Sequence, residues 1–324
     1  MDTRALWYVA PGRAEIRLGA PGTGPLLVET LWSGLSRGTE RLIFEGLVPP
    51  GEFTRMRAPM QEGELPFPVK YGYANAGRVR EGPPQLLGRT VFALAPHQAA
   101  FRAGEEQVLP LPEGVPPRRA TLAANMETAL NAIWDAGLAP GSNVAVIGAG
   151  LVGCLTAYLA RHQAGCTVTL VDPREERRLA ASELGVNFAP AGTPLGECGT
   201  VFHASASAEG LAAGLDMLAL EGTLIEMSWY GAEPVPVPLG GAFHANRLRI
   251  VSSQVGHVAP SRRATTTRRG RLAEALALLA DPRLDGLITT EIAFEELPAR
   301  LPALLARDAP GIATAIRYQA HMQA

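Results

Sequence analysis

The stretch Asn143-Val-Ala-Val-Ile-Gly-Ala-Gly-Leu-Val-Gly153 decides how this chain is read. Val144–Ile147 is a short, wholly apolar run, which suits a strand buried on both faces. Gly148, Gly150 and Gly153 then follow in the G-x-G-x-x-G register. A helix-like run from Leu151 to His162 comes next, followed by a second apolar run, Thr167-Val-Thr-Leu-Val171, which ends in Asp172. Strand, glycine turn, helix, strand and acid, in about 30 residues, make the βαβ unit that binds dinucleotides. Gly148 is expected to make the tight turn, Gly150 to admit a pyrophosphate, and Gly153 to let helix and strand approach. The helix start at Leu151 and Val152 offers N–H groups and a positive dipole end to phosphates. Asp172 is placed to accept from ribose hydroxyls and favours NAD, with NADP as the alternative, because a carboxylate repels a 2′-phosphate. Pro173 and Arg174 follow it directly. Arg174 and Arg177 could soften that preference, and a position on the helix surface is the expectation for both.

Outward from this centre the chain divides. Residues 1–119 read as β-rich, with strand-like runs at Ala5–Val9, Ala14–Leu18, Leu26–Leu31, Gly77–Val79, Thr90–Ala93 and Gln107–Leu109, separated by Gly and Pro clusters. A proline- and glycine-rich passage, Glu45 to Val69, interrupts them, and so long a loop is expected to be functional. Its Arg55, Arg57 and Gln61, with Lys70 just beyond, could receive an anionic substrate group. His97 could line a cleft. A helix is expected over Arg118 to Ala136. Residues 120–257 alternate strand and helix, which implies a doubly wound parallel sheet. From 258 the character changes again: an arginine-rich start, Arg262–Arg271, expected to be solvated, then a helix from Leu272 to Ala280, and a strand, helix and strand to Ile316. The fold class is therefore α/β.

Composition narrows the function. The 324 residues are 47% hydrophobic and 19% charged with a net charge of −2, which fits a globular enzyme and gives no general attraction for nucleic acid or an anionic membrane. The N-terminal Met1-Asp-Thr-Arg-Ala-Leu-Trp lacks signal-peptide character. Three scattered cysteines, Cys154, Cys166 and Cys198, make neither a disulfide framework nor a metal spacing. A cytoplasmic home is the expectation.

In this order, the pieces resemble the medium-chain dehydrogenase/reductase superfamily. The resemblance implies a GroES-like β-barrel domain, a Rossmann domain, and a C-terminal return that completes the first. Val28-Glu-Thr-Leu-Trp-Ser-Gly-Leu-Ser-Arg-Gly-Thr-Glu40 stands where the family has a strand and a Gly-x-Cys turn, and Leu287-Ile-Thr-Thr-Glu-Ile-Ala-Phe294 is similar to its return segment. The phrase Ser33–Glu40 resembles the branch of bacteriochlorophyllide hydroxyethyl dehydrogenases and their relatives. The departures concern zinc. Ser36 replaces a cysteine ligand, Gly72-Tyr73-Ala74 replaces a Gly-His-Glu motif, Ala124–Thr128 holds no cysteine, and the four-cysteine lobe is absent. Zinc takes thiolate, imidazole or carboxylate ligands, so no metal is expected.

The resemblance further implies that Arg37 meets the pyrophosphate, that Thr128 contacts nicotinamide, and that His203-Ala-Ser205, Met227-Ser228-Trp229 and Ser252-Ser-Gln254 face the cofactor. Tyr73, Glu127, Ser36 and Lys70 are the candidates for acid, base or hydrogen-bond donor without zinc. The expected function is zinc-independent hydride transfer between nicotinamide and an alcohol/carbonyl substrate. Alternatives are an enone or quinone reductase, and a dinucleotide-binding redox sensor or scaffold. A homodimer formed through the strand Leu248–Ser253 is expected by resemblance.

Overall fold

The computed structural model describes residues 3–319; Met1, Asp2 and the last five residues lie outside it, as does the very start of the N-terminal stretch read above. Two units divide the chain. One runs from Asn125 to Ala275 with Arg283–Leu287; the other takes the chain up to Ala124, Leu276–Pro282 and everything described from Ile288 on. Sequence placed these crossings at 119/120 and 257/258. Arg271, at the start of the helix Arg268–Leu278, is buried and bonds to Glu127 within the first-named unit.

That unit carries β1 (Asn143–Ile147), α1 (Leu151–His162), β2 (Thr167–Asp172), α2 (Arg177–Glu183), β3 (Asn187–Pro190), β4 (Cys198–His203), α3 (Ala208–Asp216), β5 (Leu218–Glu226) and β6 (Arg249–Ser252). All pairings are parallel, in the order β3-β2-β1-β4-β5-β6. This is the doubly wound dinucleotide-binding order, with the switch point between β1 and β4. Val144 to Ile147 are buried, and α1 is buried without a break from Gly153 to Ala160, so its apolar residues serve packing on all sides. Ala145, Ile147, Val201, Leu211, Leu215 and Leu224 share one core between sheet and helix.

The other unit holds two sheets. Four strands pair in the order Arg13–Gly19, Thr3–Ala10, Val69–Lys70, Glu62–Gly63. Seven make the second sheet: Ile288–Ala293, Ala313–Arg317, Leu26–Leu35, Asn75–Glu81, Thr90–Ala93 and Val108–Pro110 in order, with Ala100–Ala103 beside Leu26–Leu35. The C-terminal strand Ala313–Arg317 thus pairs antiparallel with Leu26–Leu35, so the end of the chain is built into the sheet of its beginning. Leu26, Val28, Val79, Val91, Phe101 and Val108 form the core there.

Three sequence expectations change. The helix over Arg118–Ala136 is two pieces, Pro117–Ala120 and Ala123–Ala136, because the Thr121 hydroxyl donates to the Arg118 carbonyl at 2.6 Å and ends the first. The passage Glu45–Val69 is not structureless: it contains a 3₁₀ turn, Pro50–Glu52, the strand Glu62–Gly63 and buried Val48, Ala58, Gln61 and Leu65. The arginine-rich start is not wholly solvated either, since Arg271 is 1% exposed.

Candidate active site

At the switch point the three glycines do different work. Gly148 has φ +100°, and a Cβ there would lie 2.8 Å from the Ser205 nitrogen, so the turn is both left-handed and in contact with the end of β4. Gly153 is tighter: its Cβ would stand 1.8 Å from the Gly148 carbonyl oxygen. Gly150, at the N-cap of α1, would meet no heavy atom within 4 Å. It therefore leaves one side of the turn open for backbone approach. Leu151 and Val152 open α1 half-buried, and a helix start presents N–H groups with no intrahelical acceptor. This cradle fits a pyrophosphate.

Asp172 ends β2 and is 5% exposed. Its carboxylate accepts from the Ala149 N–H at 2.8 Å and from the Arg174 N–H at 3.0 Å, so it braces the glycine turn as well as reaching the surface. The Arg174 guanidinium joins it at 3.3 Å and partly neutralises it. Pro173 between them is exposed. Arg177 is buried, contrary to the helix-surface expectation, and burial, with the Arg174 charge, lowers its pKa. Beyond the turn, Ser205 follows β4 and Ser228 follows β5, both half-buried. The Ser228 hydroxyl accepts from the Ala206 N–H at 3.1 Å. Thr128 is half-buried on the helix Ala123–Ala136, and Ser253 is buried with its hydroxyl donating to Asp135 at 2.7 Å.

The second group of candidates lies in the other unit. Ser36 caps the helix Arg37–Glu45, and the Tyr73 hydroxyl donates to the Ser36 Oγ at 2.5 Å. Sequence reasoning missed Glu40, in the first turn of this helix. Glu40 is fully buried; its Oε1 accepts from the Ser36 N–H at 2.7 Å, and its Oε2 meets the Tyr8 hydroxyl at 2.7 Å and His97 Nε2 at 2.9 Å. His97 Nδ1 then meets Ser33 Oγ at 2.8 Å, which meets the Tyr318 hydroxyl at 3.0 Å. His97 is therefore a buried framework residue, not a cleft-lining one. Glu40 stands at N4, one residue past the capping-box position that Thr39 fills, so that spacing rule does not announce it. Burial pushes the Tyr73 phenol up to about 12, against bonds to Ser36 and Thr39. Tyr73 is accordingly a neutral donor at ordinary pH.

Three groups of expected site residues sit in contacts within the fold. Lys70 is 2% exposed and committed to Glu62 and to Gln98 Oε1, the latter at 2.9 Å, so it staples the passage before it to the sheet. Glu127 is 5% exposed and paired with Arg271 Nε at 3.0 Å, which makes it a fastening point of its unit. Arg55 and Arg57 are each bonded to an acid, Glu52 and Glu64, both at 2.9 Å, in exposed pairs. Arg37 donates to the carbonyls of Ala309 at 3.0 Å and Pro310 at 2.9 Å.

Among the described residues no three His, Cys, Asp or Glu side chains come together as a metal-binding group. At the zinc-ligand positions the donors are the hydroxyls of Ser36 and Tyr73, and this donor set does not suit zinc. No described helix is long and apolar enough to cross a membrane.

A parallel six-stranded sheet with the glycine cradle at its switch point is joined in one chain to a two-sheet β unit into which the strand Ala313–Arg317 is built. No family model matches the chain. It is 29% identical over 273 residues to 2-desacetyl-2-hydroxyethyl bacteriochlorophyllide A dehydrogenase of Cereibacter sphaeroides, covering 78% of this chain and 82% of that protein. Its fold matches a putative zinc-binding dehydrogenase of Sinorhizobium meliloti bound to NADP, with TM-score 0.75 and 20% identity over 98% of this chain and 99% of that one. It also matches an Escherichia coli alcohol dehydrogenase complexed with NADH, with TM-score 0.76 and 14% identity over 98% and 99%.

Proposed function

We propose that this chain is a zinc-independent, NAD(P)(H)-dependent oxidoreductase acting on an alcohol/carbonyl pair. The observation that carries the reading is the turn at Gly148–Gly153, open at Gly150 and braced by Asp172, at the switch point of the sheet. The bound dinucleotide supplies the hydride, and the protein supplies position and electrostatics. Gly150 with the start of α1 holds the pyrophosphate, Asp172 takes the adenosine ribose, and Arg174 beside it lets the site tolerate a 2′-phosphate. The relative named after bacteriochlorophyllide and the neighbours bound to NADP and NADH support the same class of reaction. The test is titration with NADH and NADPH, followed by a panel of alcohols, ketones and enones read by nicotinamide absorbance. Failure of both nucleotides to bind overturns the reading.

Tyr73 is the proposed donor to the substrate oxygen, its proton turning from Ser36 Oγ to the substrate while the Ser36 hydroxyl donates to the phenol oxygen. Its phenol keeps its proton, and Ser36, fixed through Glu40, orients it. Tyr73→Phe is expected to lower kcat about 100-fold on a verified substrate with little change in cofactor affinity. Unchanged turnover removes Tyr73 from the chemistry.

We also propose a homodimer through β6. It is the last strand of its sheet, all four of its residues are exposed, and Ile250 and Val251 each show 37% of their surface. An apolar edge strand of this kind is a template for pairing. Val251→Lys is expected to convert a dimer into a monomer by light scattering; a monomeric wild type sinks the proposal.

A further inference from the structure

The helix Ala123–Ala136 carries Glu127, Asn131 and Asp135 at four-residue spacing, which puts the three on one face. Glu127 and Asn131 are buried and Asp135 is half-buried. Polar groups in such a face are costly unless each finds a partner. Here the partners come, directly or through Arg271, from one stretch: the segment that leaves β6.

Ser253, the first residue after β6, donates from its hydroxyl to Asp135 Oδ2 at 2.7 Å, and Asn131 Nδ2 donates to the same oxygen at 3.0 Å. The Ala259 N–H donates to Asn131 Oδ1 at 3.0 Å. Arg271, held by Glu127, donates to the carbonyls of Val255 and His257, the latter at 3.0 Å. The Ser261 hydroxyl donates to the Trp134 carbonyl at 3.0 Å. The segment is thus fastened at 253, 255, 257, 259 and 261, every second residue. Residues 253–259 belong to no strand or helix. Sheet pairing therefore fixes their path only at its start, where the Ser253 N–H donates to the Glu226 carbonyl at 2.9 Å. The polar face of one helix fixes the rest.

Position says what the fixed path serves. β6 runs parallel to β5, and β5 to β4, so Ser253 stands at the carboxyl end of the sheet, where a doubly wound sheet binds its ligand. Asp172 at the end of β2 marks β1 to β3 as the adenosine half. β4 to β6 is the other mononucleotide half, which receives nicotinamide. An irregular backbone recognises a planar ligand group only when its own path is held by supporting side chains. We propose that Asp135 is a positioning residue for the nicotinamide half of the dinucleotide: through Ser253 it sets where the chain leaves β6, and so the backbone that the nicotinamide meets. Asn131, Glu127 and Arg271 carry the same restraint further along the segment. Asp135 itself touches no ligand, and the adenosine half, built on Gly150 and Asp172, does not depend on it. This rests on the dinucleotide reading above.

The test compares NADH with ADP-ribose, which has the same adenosine and pyrophosphate and no nicotinamide, by calorimetry on the full chain. In Asp135→Ala and in Ser253→Ala the NADH dissociation constant is expected to rise about ten-fold, the scale of one lost side-chain hydrogen bond, while that of ADP-ribose stays at the wild-type value. The double variant is expected to match the single ones, because both remove the same bond. Asp135→Asn keeps an acceptor for the Ser253 hydroxyl and is expected to restore NADH affinity. Equal weakening of NADH and ADP-ribose would give Asp135 a role in stability alone and overturns the inference. Unchanged NADH affinity in both single variants overturns it too, as does a wild type that binds ADP-ribose as tightly as NADH. Melting temperatures identify a misfolded variant, and Ser253→Ala, which removes one hydroxyl, decides the matter where Asp135→Ala does not fold. A wild type that binds neither ligand overturns the parent reading as well.

Discussion

Gly150→Val is expected to leave the fold intact and abolish dinucleotide binding, whereas Gly153→Ala is expected to damage the fold itself. The two glycines are three residues apart in one motif, yet the structure separates them. A Cβ at Gly150 meets nothing within 4 Å, and its φ of −76° is open to any residue, so the larger side chain folds without strain. It then occupies the side of the turn that a pyrophosphate must approach. NADH affinity should fall at least about 100-fold, equivalent to roughly 2.7 kcal/mol, with melting temperature nearly unchanged. At Gly153 a single methyl would sit 1.8 Å from the Gly148 carbonyl oxygen, a backbone atom that cannot swing away. Helix α1 must move off β1, and the cost of such overpacking is about 3 kcal/mol. Thermal unfolding and NADH titration of both variants check this. Comparable melting temperatures for the two would show that Gly153 does not set the helix–strand approach.

Arg271→Met is expected to destabilise the protein by about 3–5 kcal/mol at neutral pH, because it strands a buried charge. Arg271 is 1% exposed and donates to Glu127 at 3.0 Å, to Asn131 Oδ1 at 2.5 Å, to the His257 carbonyl at 3.0 Å and to the Val255 carbonyl. One guanidinium therefore ties the segment after β6 to the helix Ala123–Ala136. Burial already raises the Glu127 pKa, and Arg271 is the main force opposing that rise. A carboxyl whose folded pKa lies above its unfolded value loses stability as pH climbs from the unfolded to the folded value, and the loss is complete above both. Without Arg271 the folded value climbs further, so the defect should be larger at pH 7 than at about pH 5. Denaturant melts of Arg271→Met at both values read this directly. A defect independent of pH would mean that the lost carbonyl bonds, and not the stranded Glu127, carry the effect. Glu127→Gln separates the two, since it keeps a polar partner and removes the charge.

The arginine at 271 shows where reading a sequence stops. It stands in a run of basic residues, and a charged run is ordinarily a solvated face. Its burial depends on Glu127, 144 residues earlier. Lys70 and Glu127 were read as chemical groups for the same reason: each lies near a family site position, while the partner that consumes it lies elsewhere, at Glu62 and Gln98 or at Arg271. His97 and Glu40 are 57 residues apart and make a buried contact that no spacing rule announces.

What the sequence determined alone was the local part. A wholly apolar run at Val144–Ile147, three glycines at fixed offsets, an apolar helix and an acid at the next strand end are short-range constraints. Steric freedom and the two periodicities of strand and helix are enough to decode them. The α/β class follows from the same alternation. Only the tertiary structure decided which ionisable groups are spent on holding the fold and which face a ligand. Burying a charge is costly unless it finds a partner, and the partners of Lys70, Glu127 and Arg271 are chosen by how the chain closes on itself.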